Sequence, residues 1–97
     1  MAKIREMKFW NRGDVMNVCI KHDYYTRGDG TAYEKMLRFV DEHEPTKTNI
    51  FKVAKDIVEH SDLERYGSPT KEWDIQAIMF DITREAVSVH YEIIGAA

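Results

Sequence analysis

The stretch that decides the fold is the last third of the chain, which reads SPTKEWDIQAIMFDITREAVSVHYEII from Ser68 to Ile94. At about 100° per residue, its acidic and hydroxyl side chains form a narrow stripe beside a wide apolar arc. The flank of that arc consists of Ile75, Met79, Ile82, Ala86, Val89 and Ile93. Ser68 followed by Pro69 favours a helix start, and Gly95 favours a stop. We therefore predict one long helix over residues 68–94, covered from two sides as a core helix or as the seam of a dimer.

The end of the same stretch also has the pattern of a strand. Residues 87–93 alternate between apolar and polar side chains, and the apolar ones are β-branched or aromatic. The helical period extends over roughly twenty residues and the strand period over about eight, so length favours the helix. If the strand forms instead, Thr83–Ala86 becomes a hairpin turn. Helix and strand therefore remain alternatives for residues 83–94.

Two shorter helices precede this stretch. Asn11 can cap the first, with Asp14 as its capping-box partner, and this helix ends near residues 23–25. Thr31 can cap the second, with Glu34 in the same role. That helix ends before Pro45, because the residue preceding a proline is disfavoured in the helical region. A glycine-rich turn over residues 26–30 joins the two helices.

A third helix begins at Thr46 or Thr48 and ends near residues 60–62. Its apolar stripe consists of Ile50, Val53, Ala54, Ile57 and Val58. The prediction is a single all-α domain over residues 1–97, a small bundle of about four helices packed around the long C-terminal helix. Residues 1–10 are too short to classify by period, and we treat them as a basic N-terminal arm whose order is open. The alternative fold is α+β with a C-terminal β-hairpin.

Composition restricts the classes of protein that this chain can belong to. A single cysteine, Cys19, allows no disulfide within the chain, and the N-terminal residues lack the apolar run of a signal peptide. No apolar run is long enough to cross a bilayer, so we expect a cytoplasmic protein. Cys19 and His22 share a helix face but lack a second ligand pair, and no complete catalytic set occurs. We expect no catalytic residue, no metal, no cofactor and no enzyme activity.

Charge is distributed unevenly along the chain. The net charge is −3, but the first twelve residues contain four basic side chains against one acidic one. Lys3, Arg5, Lys8 and Arg12 are therefore the residues that would contact a nucleic acid. The rest of the chain is acidic and would be repelled by a phosphate backbone, so a nucleic acid is not the expected partner.

Aromatic and basic residues concentrate around the glycine-rich turn. Tyrosine and arginine are residue types that recur in protein–protein interfaces. Together with Asp29 beside them, the residues of these types at the turn are Tyr24, Tyr25, Arg27 and Tyr33. We predict that they bind a partner protein, although half of the residues around this turn can equally be core anchors at helix ends. The tripeptide Arg-Gly-Asp occurs at residues 12–14 and 27–29, but in an intracellular chain it does not indicate cell adhesion.

The same turn carries a resemblance. The run YYTRGDGTAYEKML over residues 24–37, with WNRGDV over residues 10–15 before it, resembles small uncharacterised proteins of Gram-positive phages and conjugative elements. The resemblance covers about residues 10–62. It implies no activity for any residue. It implies a setting, since accessory proteins of mobile elements commonly bind host proteins, some as inhibitors of defence nucleases.

These observations lead to one functional hypothesis and two alternatives. The hypothesis is a non-enzymatic protein-interaction domain that inhibits or regulates a host or cognate protein, like an anti-CRISPR protein. The first alternative is a small nucleic-acid-binding module that uses the basic N-terminal arm. The second is a self-associating structural domain that forms a homodimer through its C-terminal helix.

Overall fold

The computed structural model describes residues 3–22, 24, 31–61 and 71–95. Within these residues the chain forms four helices and two strands. The helices are α1 (Arg12–Lys21), α2 (Thr31–Glu42), α3 (Lys47–Glu59) and α4 (Lys71–Glu85), and the strands are β1 (Lys3–Trp10) and β2 (Val87–Ile94). β1 and β2 pair antiparallel, so the first and last elements of the described chain lie side by side.

The all-α prediction is wrong at the C-terminal end. The predicted helix over residues 68–94 stops at Glu85, and the backbone N–H of Ala86 donates the last helical bond to Ile82 O (2.8 Å). Residues 87–94 are a strand because β1, from the other end of the chain, bonds to their backbone groups. Ser68 and Pro69 lie outside the described residues, and Gly95, with φ of 80°, follows a strand rather than a helix.

The α+β alternative fits the structure, but its hairpin does not. Thr83 lies inside α4, where its hydroxyl donates to Met79 O (2.8 Å), so no turn forms over residues 83–86. β2 pairs with β1 rather than with a neighbouring segment. Val89 and Ile93, which the helical period assigned to a covered face, are exposed. The sheet also orders most of the predicted N-terminal arm, since β1 begins at Lys3.

The three earlier helices are confirmed, one predicted cap is wrong, and the capping box of Thr31 with Glu34 stays a prediction. Thr46 caps α3, because its hydroxyl accepts the backbone N–H of Asn49 (3.2 Å), and this decides between Thr46 and Thr48. α1 begins after Asn11 as predicted, but the Asn11 side chain makes no capping bond. The predicted capping box with Asp14 is therefore wrong.

The core forms where α3 and α4 pack together, with α1 against α4 and α2 completing it. All five residues of the predicted α3 stripe are buried. The buried hydrophobic residues of the described chain are Val15, Val18, Cys19, Met36, Val40, Ile50, Val53, Ala54, Ile57, Val58, Ile75, Ile78, Ile82 and Ala86. Ile57 and Ile82 have no exposed surface, and truncating either to Ala would cost about 2–5 kcal/mol.

Candidate functional site: an exposed β arm

The two strands form an exposed arm, by which we mean Lys3–Trp10 together with Val87–Ile94. Single residues connect it to the helices: Asn11 between β1 and α1, and Ala86 between α4 and β2. The backbone N–H of Asn11 donates to Ala86 O (2.8 Å), which extends the pairing of the strands to the two links. Because α1 packs against α4, the arm continues directly from a packed pair of helices.

Side chains also fasten the base of the arm. Trp10 is partly buried against the core, and its indole N–H donates to the carbonyl of His43 (2.7 Å) at the end of α2. Ser88 donates its hydroxyl hydrogen to the side-chain oxygen of Asn11 (2.7 Å). The Asn11 side chain therefore joins the link after β1 to β2, which explains why it does not cap α1. The arm is fixed in direction relative to the helices.

One side of the arm is an apolar face. Residues paired in an antiparallel sheet lie on the same side, so Ile4 and Ile93 lie together, followed toward the base by Glu6 with Tyr91 and Lys8 with Val89. Ile93 is 75% exposed, and Ile4 and Tyr91 are each 70% exposed. Trp10 and Val87 lie at the base of this face and pack against the core. Large apolar side chains that are exposed together usually mark an interaction site.

The opposite side is a mixed face. It contains Arg5 opposite Glu92 and Met7 opposite His90. The Phe9 ring meets His90 edge to face, with ring centroids 5.4 Å apart. Opposite charges in register and an aromatic contact stabilise the pairing of the two strands. The mixed face therefore holds the arm together, whereas the apolar face leaves most of its surface to solvent.

A groove lies where the apolar face meets the helices. Its volume is about 440 Å³, and its lining includes Lys8 from the arm, Ile50 from α3, and Met79 and Phe80 from α4. The Phe80 ring is exposed, with the Arg84 guanidinium 5.4 Å from its centroid. The groove extends the apolar surface of the arm onto the helices.

Three of the four basic residues predicted to contact a nucleic acid lie beside acidic side chains. Lys8 Nζ lies 3.8 Å from Glu6, and Arg12 lies 3.5 Å from Asp41. Arg5 is opposite Glu92, whereas Lys3 is opposite Ile94. The structure thus places three of the four on the arm and one beside it, but as a surface of mixed sign. A phosphate backbone would be better matched by cations without acidic neighbours.

The predicted aromatic turn is described only in part. Tyr24 and Tyr33 are half-buried against the core, with ring centroids 5.9 Å apart, and the Tyr24 hydroxyl donates to Asp56 Oδ2 (2.9 Å). Burial raises the pKa of both hydroxyls, and the Asp56 carboxylate raises the pKa of Tyr24 further. Tyr25, Arg27 and Asp29 lie outside the described residues. Tyr24 and Tyr33 therefore serve as anchors between helices, and partner binding by the turn stays a prediction.

A second cavity lies between α2 and α3. Its volume is about 540 Å³, and Met36, Phe39 and Val53 contribute apolar walls. Two of its polar lining residues are engaged with neighbours: His60 Nδ1 lies 3.3 Å from an Asp56 carboxylate oxygen, and the other oxygen accepts the Tyr24 hydroxyl. These groups join the ends of α1 and α3.

Cys19 and His22 do not converge on a common site. The Cys19 thiol is buried 3.4 Å from the sulfur of Met36, and burial, together with the negative charge of Asp56, raises the pKa of Cys19 to about 12. His22 Nε2 instead lies 2.9 Å from Asp81 on α4. A thiol with this pKa is protonated at neutral pH and is a poor nucleophile. Within the described residues, no group of three or more His, Cys, Asp or Glu side chains could hold a metal ion.

A comparison of the chain with known protein families, with curated proteins and with solved structures found no match. The resemblance to proteins of phages and conjugative elements therefore stays a prediction. The helices of the described residues were also tested for membrane spans, and none combines the length and the apolar character that a span requires.

Sequence reasoning missed the arm as a site, although a signal was present. The alternation over residues 87–93 is a strand signal, but it is shorter than the helical period of the same stretch. In residues 3–10, large apolar side chains are mixed with charged ones, which is typical of an exposed strand. Considered together, the two ends would have suggested a pair of strands.

Proposed function

We propose that this chain is a non-enzymatic protein-interaction domain that binds its partner through the apolar face of the arm. The observation that carries the proposal is the exposure of Ile4, Tyr91 and Ile93 on one side of a sheet that is anchored to the helices. An anchored surface loses little conformational entropy on binding, so ordering it offsets little of the free energy gained by burying its apolar area. Tyrosine is also among the residue types enriched at binding hot spots.

The charge of the arm supports a protein partner over a nucleic acid. Its cations Lys3, Arg5 and Lys8 are nearly balanced by Glu6 and Glu92. Contacts to a phosphate backbone depend on unbalanced positive charge, whereas a protein interface tolerates mixed charge at its rim. The basic-arm alternative is therefore less well supported than protein binding.

The biological setting is part of the same proposal. The resemblance to proteins of mobile elements supports a host protein as the target and a role as its inhibitor or regulator. The buried thiol and the absence of a second cysteine support a reducing compartment such as the cytosol. Mimicry of a nucleic acid by the acidic residues outside the arm has weaker support, because Asp41 pairs with Arg12 and Asp56 is engaged by Tyr24 and His60.

The proposal is tested by capturing partners from a Gram-positive host lysate on the immobilised chain. A Tyr91→Ala, Ile93→Ala double variant removes apolar surface from the arm, and an Ile20→Ala, Phe51→Ala double variant removes exposed apolar surface elsewhere. We expect the wild type and the second variant to capture the same specific protein, and the arm variant to lose at least tenfold of it.

A Tyr25→Ala, Arg27→Ala double variant tests the aromatic turn in the same assay. The folding of each variant is checked by its circular dichroism and its thermal midpoint. Equal capture by the wild type and the arm variant would contradict a binding site on the arm. Loss in the Tyr25, Arg27 variant alone would move the site to the turn.

A further inference from the structure

We propose that a second copy of this chain binds the arm, and that the two β2 strands pair antiparallel into a four-stranded sheet. The inference rests on the proposed function, since it names a partner for the same arm. In the part of the chain that the structure describes, β2 pairs with β1 alone, so its outer edge presents backbone N–H and C=O groups to an added strand. Two-stranded sheets are only marginally stable in water, and two more strands remove that weakness.

The chemistry of the two edges favours β2 as the strand that pairs. Proteins commonly protect an exposed edge strand with lysine, other charges or proline. β1 is protected in this way by Lys3, Arg5 and Lys8 among its eight residues. β2, with the sequence VSVHYEII, contains no lysine, arginine or proline and has Glu92 as its only acidic residue. The unprotected edge is therefore the outer edge of β2.

Symmetry and charge together select the register. If a two-fold axis normal to the sheet relates the two copies, the same face of the sheet points the same way in both. Each residue of β2 then pairs with a β2 residue of the second copy whose side chain lies on that same face. An axis at Glu92 would place two carboxylates opposite each other, and an axis at His90 would place Glu92 opposite Ser88. An axis at Tyr91 places Glu92 between Arg5 of its own chain and His90 of the second copy. We assign the axis to Tyr91, because this register gives Glu92 a partner on both sides.

The same register joins the two apolar faces into one. Val89 then lies opposite Ile93 of the second copy, and the two Tyr91 side chains are adjacent. The tip of each arm lies beside the base of the other, near the groove that Lys8 and Phe80 line. Side chains that are exposed in one copy thereby obtain apolar neighbours in the other, which adds to the backbone hydrogen bonds of the new strand pair.

The inference is tested with single cysteines placed at two equally exposed positions of the full chain. Tyr91→Cys lies on the proposed axis, where opposed Cα atoms are about 4.5–5.5 Å apart, within disulfide range. Ile4→Cys lies on the outer strand, and three strand spacings put its two copies at least about 14 Å apart. Both side chains are 70% exposed in the wild type, and the native Cys19 is buried.

We expect sedimentation of the wild type to give twice the 11.4 kDa mass of one chain at micromolar concentration. Mild oxidation should convert most of Tyr91→Cys, and little of Ile4→Cys, to a covalent dimer. Mixing Val89→Cys with Ile93→Cys should give the crosslinked pair, whereas neither variant should crosslink by itself.

Three results would overturn the inference. A wild type that is monomeric up to its solubility limit excludes binding of a second copy. If the arm variant nevertheless loses the captured host protein, the proposed function stands without this inference. A dimer in which Ile4→Cys crosslinks as fully as Tyr91→Cys excludes pairing through β2. Monomeric behaviour together with unchanged capture by the arm variant removes both proposals.

Discussion

At the scale of single residues, Cys19 is the clearest case of a side chain with a structural role. Its thiol is in the core, in contact with Met36, and burial raises the pKa of Cys19 from 9.0 to about 12. In the unfolded chain the thiol regains its ordinary pKa and loses its proton first as the pH rises. The buried, protonated thiol of Cys19 therefore stabilises the folded state fully below pH 9. This contribution is lost as the pH rises toward 12.

We predict that the free energy of unfolding falls more steeply with pH above 9 in the wild type than in Cys19→Ala. The difference in slope should approach about 1.4 kcal/mol per pH unit, which is the value for one proton. Urea unfolding at a series of pH values measures both slopes, and taking their difference removes the shared contribution of the lysines. Equal slopes would mean that Cys19 is accessible to solvent.

At the scale of elements, the cap of α3 gives a matched comparison. Thr46 accepts the backbone N–H of Asn49, whereas Thr48 lies inside the first turn, and both are exposed. We predict that Thr46→Ala costs about 1 kcal/mol of unfolding free energy, whereas Thr48→Ala costs nothing or gains a few tenths, because Ala has the higher helix propensity. Urea unfolding of the two variants measures this, and similar losses would contradict the assignment of the cap.

Elements held by local interactions could be predicted from the sequence. The stripe of α3 and its cap depend on residues three or four positions apart, so the helical period identified the stripe and narrowed the cap to Thr46 or Thr48. The end of α4 could not be predicted in this way. Ala86 and Val89 continue the apolar period of the helix, and what makes residues 87–94 a strand is their pairing with residues 3–10, far away along the chain. A period within one segment contains no information about such a partner.

At the scale of the whole molecule, the candidate site depends on that same distant pairing. Ile4 and Ile93 form one apolar surface only because the two ends of the described chain lie together. The sequence identified Lys3, Arg5 and Lys8 as basic residues beside a single acidic one, Glu6, and that Glu92 lies opposite Arg5 became visible only in the paired register. Residue types alone indicate that the aromatic turn is an interface, whereas the structure shows that the Tyr24 hydroxyl donates to Asp56 within the chain.

The measurement that tests the account most directly is amide hydrogen exchange by NMR, residue by residue, along both strands. In an arm whose β2 pairs with a second copy, β1 should show slow exchange at alternate amides from Lys3 to Trp10, because its other amides face solvent. β2 should show slow exchange at consecutive amides from Ser88 to Ile94, because it has a neighbour on each side. Alternation in both strands would contradict the pairing of two copies, and fast exchange throughout both strands would contradict the arm itself.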